Sequence, residues 1–166
     1  LSAAYDQFNR EKLEDCGVIY NFSNSEIMSL PVNDLDKLNC LSTRGLFLSV
    51  SDFLKTKGMH PKLLPHYFSD YEYTIRAKRK FGLHLKCFLD LKVYMDNQTS
   101  GIRDIEYHTL REFFKKAFDK RYKGSPLYTF NYFFIAFPFP YNIKFALIQL
   151  RAFVKALILI ILKFRI

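Results

Sequence analysis

The sequence predicts an α/β fold, and three observations predict it. Ser69–Lys80 has the charge order of a helix, with Asp70 and Glu72 in the first turn and Arg76 to Lys80 in the last turns. Leu83–Met95 alternates as a strand does, placing Leu83, Leu85, Cys87, Leu89, Leu91 and Val93 on one face. Residues 127–166 read as aromatic-rich and leucine-rich helices, split at Phe137-Pro138-Phe139-Pro140.

The remaining elements follow in order. Residues 3–15 (AAYDQFNREKLED) read as a helix that ends near Gly17. Val18–Phe22 is a short strand, and residues 23–40 are loop plus another short strand. Gly45–Leu48 reads as a buried strand. Ser51–Lys57 is a short helix stopped by Gly58, with Ser49 or Ser51 as its cap. Residues 59–68 hold two prolines and must be irregular. Ser69 is the expected cap of the next helix, and Gly82 closes it. Asp104–Phe118 is an amphipathic helix, and residues 119–125 form a basic turn. The sheet is expected to contain Val18–Phe22, Gly45–Leu48 and Leu83–Val93. The domain boundary is expected at 125/126, with a helical extension from 126 to 166.

Composition narrows the class. The chain has 166 residues, 49% of them hydrophobic and 25% charged, which suits a packed core and not a disordered chain. Three widely spaced cysteines, Cys16, Cys40 and Cys87, fit neither a disulfide framework nor a zinc site, and read as reduced core thiols of a cytosolic protein. His60, His66, His84 and His108 show no metal-ligand spacing. Residues 1–60 carry a net charge of −2 and residues 61–166 a net of +11, so the positive charge belongs to the second part. Such asymmetry suggests an anionic partner. Nucleic acid is the weakest candidate, because no RNP, KH or helix-turn-helix pattern accompanies the basic charge.

The stretch that carries chemistry is Leu41–Gly82. It reads LSTRGLFL, then DFLKTKGMHPKLLPHYF, then SDYEYTIRAKRKFG. This order resembles the second half of a family 2 glycosyltransferase of the GT-A type, rhamnosyltransferase-like, over about residues 10–140. In that family a Gly-Arg-Gly-like loop leads into a short strand, a helix ending in Gly, an aromatic loop, and a helix of pattern D-x-[DE]-x-x-x-R. Here those last positions are Asp70, Glu72 and Arg76. The resemblance implies a partial GT-A-like mixed sheet with flanking helices and a C-terminal amphipathic helical extension. It also implies that Asp70 is the general base of an inverting sugar transfer. Such a base takes the proton from the acceptor hydroxyl as that oxygen attacks the anomeric carbon. A carboxylate at a helix N-terminus is held by backbone N–H groups and favoured as an anion by the dipole. On composition alone, Asp70 and Glu72 are also ordinary helix-start residues; the surrounding pattern decides between the two readings.

Further residues are implied to bind donor or acceptor. Ser42, Thr43, Arg44 and Gly45 form a polar loop in which glycine lets backbone approach a ligand and Arg44 reaches a diphosphate or sugar hydroxyls. Glu72 and Arg76, four apart, are expected to pair. The intact family enzyme uses a divalent metal, Mg or Mn, held by a D-x-D motif that ends a buried strand. Asp34-Leu35-Asp36 is formally such a triplet but follows Pro31-Val32-Asn33, and reads as a surface turn. Met95-Asp96 stands where many relatives place a further metal-ligating His. The donor-binding half, three βα units of ~30 residues each, has no counterpart here. A chain that starts at Leu1 therefore reads as a crop or fragment, inactive alone. The expected partners are a nucleotide-sugar donor, a glycan or lipid-linked acceptor, and an anionic membrane surface at the inner face of the cell membrane.

The membrane expectation comes from the last segment. Lys144, Arg151, Lys155 and Lys163 fall near one helical face, Arg165 adds a fifth positive charge, and no acidic residue follows Asp119. Basic, amphipathic helices of this kind lie on anionic bilayers. The competing readings are a helix packed on the rest of its domain or on another subunit, and a non-catalytic basic membrane-surface binding module.

Overall fold

Leu1 to Ala4 are all buried, and this overrides the helical composition of residues 3–15. In the computed structural model, which describes residues 1–96, 109–120 and 124–163, that segment is strand β1 (Ser2–Asp6), a turn, and strand β2 (Leu13–Asp15). The turn has a local cause. Asp6 accepts from the Phe8 and Asn9 N–H groups at 2.7 and 2.8 Å, and the Asn9 side chain accepts from Glu11 N–H. Asp and Asn side chains that capture nearby N–H groups compete with the helix for them.

The chain forms two compact units, Leu1–Met59 with Asp70–Gly101, and His60–Ser69 with Ile102–Ile166. The division thus runs through the 60–69 loop and after 101, not at 125/126.

The first unit is mixed α/β. β1 pairs antiparallel with β2 and parallel with β5 (Phe88–Met95), giving the order β2-β1-β5. β3 (Val18–Asn21) and β4 (Glu26–Ser29) form a separate antiparallel hairpin, so Val18–Phe22 is a strand but not a member of the larger sheet. Leu1, Ala3, Cys16, Leu38, Leu41 and Cys87 make the core. Leu85 and Leu89 pack against it, as the alternation requires. Leu91 departs from that face and is 52% exposed. The register explains why: Ser2 pairs with Phe88 but Ala3 with Lys92, so Leu89 to Leu91 bulge out opposite one step of β1. The regular strand begins at Phe88, later than the alternation suggests.

Gly45–Leu48 is not a strand. Gly45 has φ of +71°, and an added Cβ would meet Ser2 Cβ at 3.0 Å. Its carbonyl takes the Ser2 N–H at 3.0 Å, which leaves Phe47 and Leu48 outside. Asp34 and Asp36 lie on a 3-10 turn, Val32–Lys37, where Asp34 pairs with Lys37 at 2.8 Å. Helix α1 (Val50–Lys55) is capped by Ser49, which accepts from Asp52 N–H at 3.0 Å. Lys57 and Gly58, both at positive φ, end it. Helix α2 (Ser69–Phe81) has the predicted span and is followed by Gly82 at φ +68°. Ser69 is its first residue and donates to the His66 carbonyl, so it is not the capping acceptor expected of it.

The second unit is helical: α3 (Leu110–Ala117), α4 (Pro126–Ala136) and α5 (Tyr141–Lys163). Thr109 caps α3 through Glu112 N–H, and Pro126 opens α4 where a missing N–H costs nothing. Aromatic packing fastens α4 to α5: Phe145 lies 5.5 Å from both Phe133 and Phe137, ring centre to ring centre. Phe153 of α5 stacks on Phe113 of α3 at 5.3 Å. The expected helix start at Asp104, residues 97–101 of VYMDNQTSG, part of the basic turn, and Arg165 lie outside the described residues.

Candidate functional site

The Ser42–Gly45 loop is placed by the core beneath it. Leu38 and Leu41 are buried against Gly17, whose φ of +88° and close packing leave no room for a Cβ: Leu41 Cδ2 would be 2.6 Å away. Thr74 then ties the loop to α2. Its hydroxyl accepts the Leu41 N–H at 3.0 Å and shares its own proton between the Asp70 and Leu41 carbonyls, at 2.9 and 3.2 Å.

This brings Asp70 onto the loop. Its Oδ2 accepts from the Thr43 N–H at 3.0 Å and the Thr43 hydroxyl at 3.3 Å. Among the described residues, its Oδ1 accepts only the N–H of Tyr71, at 2.9 Å. A carboxylate oxygen has two lone-pair sites, so Oδ1 can accept a second hydrogen bond. Asp70 is half-buried.

Asp15 joins the cluster from β2. Its Oδ2 accepts from the Ser42 hydroxyl at 2.5 Å and lies 3.9 Å from Arg44 Nη1. Its Oδ1 takes the Gly17 N–H at 2.8 Å. The Arg44 side chain is 43% exposed, so its guanidinium is open to an anion. Tyr71 lies among these groups; burial pushes its phenol up, and the neighbouring Cys40, Asp15 and Asp70 push the same way.

The structure therefore brings Ser42, Thr43, Arg44, Gly45 and Asp70 together. It turns Glu72 and Arg76 inward. Their expected ion pair forms, with Nε to Oε1 at 2.6 Å and Nη2 to Oε2 at 3.1 Å, but the two residues are only 1% and 7% exposed. Arg76 also donates to the Thr56 and Gly58 carbonyls at 2.5 and 2.6 Å, closing the C-terminus of α1. A direct donor- or acceptor-binding role does not fit a pair with its charged atoms turned into the interior. These residues position α2 against α1.

Asp15 and Tyr71 were missed by the sequence reading. Asp15 had a signal: Asp-Cys-Gly is a turn pattern in which the Asp side chain bonds the N–H two residues on. The helix expected over 3–15 hid it.

A cavity of about 660 Å³ in this unit is lined mainly by apolar residues such as Leu46, Phe47, Leu48, Tyr73 and Leu85, and not by Asp70, Arg44 or Asp15. The cavity and the polar cluster thus lie at different places on the unit. Among the described residues no group of three His, Cys, Asp or Glu side chains could hold a metal ion. Asp34 and Asp36 do not fit a metal–diphosphate site, since Asp34 is paired with Lys37 on an exposed turn. Comparison with models of protein families, with curated proteins and with solved structures gives no match for this chain.

Proposed function

We propose that this chain is the acceptor-side half of an inverting glycosyltransferase of GT-A type, with Asp70 as its general base. The observation that carries the reading is the Asp70 carboxylate, fixed at the start of α2 by both donors of Thr43 on Oδ2, with the Tyr71 N–H on Oδ1. In the reaction, Oδ1 takes the proton of an acceptor hydroxyl. That oxygen attacks the anomeric carbon of the sugar, and the nucleoside diphosphate leaves from the opposite side, inverting the centre. Fixing the base beforehand removes the entropy of orienting it during reaction. Arg44 offers its exposed guanidinium to the diphosphate or to sugar hydroxyls. Asp15 holds the Ser42 hydroxyl and so sets the loop. Glu72 and Arg76 act by positioning α2.

The donor is a nucleotide-sugar, and the acceptor a glycan or a lipid-linked saccharide. Among the described residues no group of three His, Cys, Asp or Glu side chains supplies a metal site. The test joins the chain to a donor-binding domain and determines the anomeric configuration of the product by NMR. Inversion is expected. Retention would contradict a single displacement with Asp70 as base.

A further inference from the structure

We infer that the outward side of α5 is a docking surface for the anionic face of a phospholipid bilayer, with the helix lying in the interface and not crossing it. The inference is independent of the role given to Asp70. α5 buries one stripe, Phe145, Ala146 and Ile160, within its own unit. Its other side stays open. Ile143, Leu147, Leu150, Val154, Ile158 and Ile161 are each between 38 and 51% exposed. At 3.6 residues per turn these six fall in a sector of about 80° and run about 27 Å along the axis. So long an open aliphatic row is unusual for a surface that meets only water.

Charge says what covers it. Lys144, Arg151 and Lys155 are exposed and occupy the adjoining sector of about 40°, together with the exposed Leu162 and with Ile148 and Leu159 on its far side. The sequence from Lys120 onward contains no acidic residue. A second copy of α5 would set these cations against each other with no carboxylate between them. An anionic bilayer complements both rows: acyl chains take the aliphatics, and phosphates take the cations that border them. Phe139 at the α4–α5 turn, 78% exposed, extends the apolar surface at one end.

Tyr141–Leu162 is long and apolar enough to cross a membrane, with mean hydropathy 2.2 in its most apolar window and only 17% of that window buried. Crossing would place Arg151, at the middle of this segment, at the bilayer centre and Lys155 one turn away. Charged side chains there are costly and are normally paired or turned to water. Lying in the interface lets both reach phosphate.

The chain contains no tryptophan, so Val154→Trp introduces a single fluorescent probe on the open row. The probe is read with phosphatidylcholine vesicles, with and without phosphatidylserine, carrying spin labels at shallow or deep acyl positions. Blue-shifted emission only with phosphatidylserine, quenched by the shallow label, is the expected result. Binding should weaken in 1 M salt, where the Debye length is ~3 Å. The pair Arg151→Gln and Lys155→Gln should lower vesicle affinity about thirtyfold, the equivalent of two lost charge contacts. Circular dichroism of that variant checks that the helices persist, and the wild-type surface is tested by the Val154→Trp probe whether or not they do. Deep quenching with resistance to alkaline extraction would overturn the inference in favour of a spanning helix. Absence of vesicle binding, with or without a dimer in sedimentation, would overturn it as well.

Discussion

Arg76→Met should be among the most damaging single changes in the first unit. The substitution keeps much of the side-chain length but removes every donor. Four bonds disappear: two to the Glu72 carboxylate, and those to the Thr56 and Gly58 carbonyls. A carboxylate only 1% exposed is then left without its cation. Breaking a buried pair from one side costs about 3–5 kcal/mol. The two carbonyls belong to buried residues, which pushes the figure to the upper end. In a chain of this size that is a fall in Tm of roughly 6–20 °C. Urea unfolding followed by circular dichroism reads it directly. Lys37→Ala is the control, because it breaks a pair whose side chains are 71% and 40% exposed and should leave the urea midpoint nearly unchanged. The double change Glu72→Leu with Arg76→Met should cost less than Arg76→Met alone, since no isolated charge remains inside. The reasoning fails if Arg76→Met lies within about 1 kcal/mol of wild type, or if the double variant is the worse of the two.

Two other outcomes follow from the core. Gly17→Ala should destabilise by about 2–4 kcal/mol in urea unfolding, because it combines a left-handed backbone with a methyl group driven into Leu41; a neutral result would show that the Leu38–Leu41 segment moves freely. Alkali should unfold the first unit. Burial pushes the Cys16 thiol up to about 11 and the Cys40 thiol well above its ordinary value, whereas both titrate near 9 once unfolded. The folded state therefore holds more protons above pH 9. Stability is complete below that pH and declines as pH rises from 9 through 11. Urea midpoints at pH 7 and pH 10 should differ, and Cys16→Ala with Cys40→Ala should shrink the difference.

What the sequence made legible was local. Helix α2 was readable because its charge order and its closing Gly82 agree. The Asp70–loop cluster was readable as a set of residues, since the family pattern placed Asp70 and Ser42–Gly45 in order. Their contact was not, because Thr43 reaches Asp70 across 27 residues, and that distance is set by the Gly17–Leu41 packing and the Thr74–Leu41 hydrogen bonds. β1 was hidden for a related reason. Ala3, Ala4 and Tyr5 favour a helix as readily as a strand, and the parallel partner that decides lies at Lys92–Tyr94. Gly45–Leu48 failed in the other direction, since three apolar residues look like a strand unless the positive φ of Gly45 is known. For Glu72 and Arg76 the spacing revealed the pair but not its burial. The carbonyls that complete it, Thr56 and Gly58, come from α1 and the turn after it.

The central claim is that Asp70 takes the acceptor proton. The most direct measurement is turnover and donor affinity of Asp70→Asn in a protein that carries this chain together with a donor-binding domain. Asparagine keeps the size of the side chain and an oxygen for Thr43 but cannot accept the proton. The account predicts a loss in kcat of about a hundredfold or more, with nearly unchanged affinity for the nucleotide-sugar. Full turnover by Asp70→Asn would contradict it.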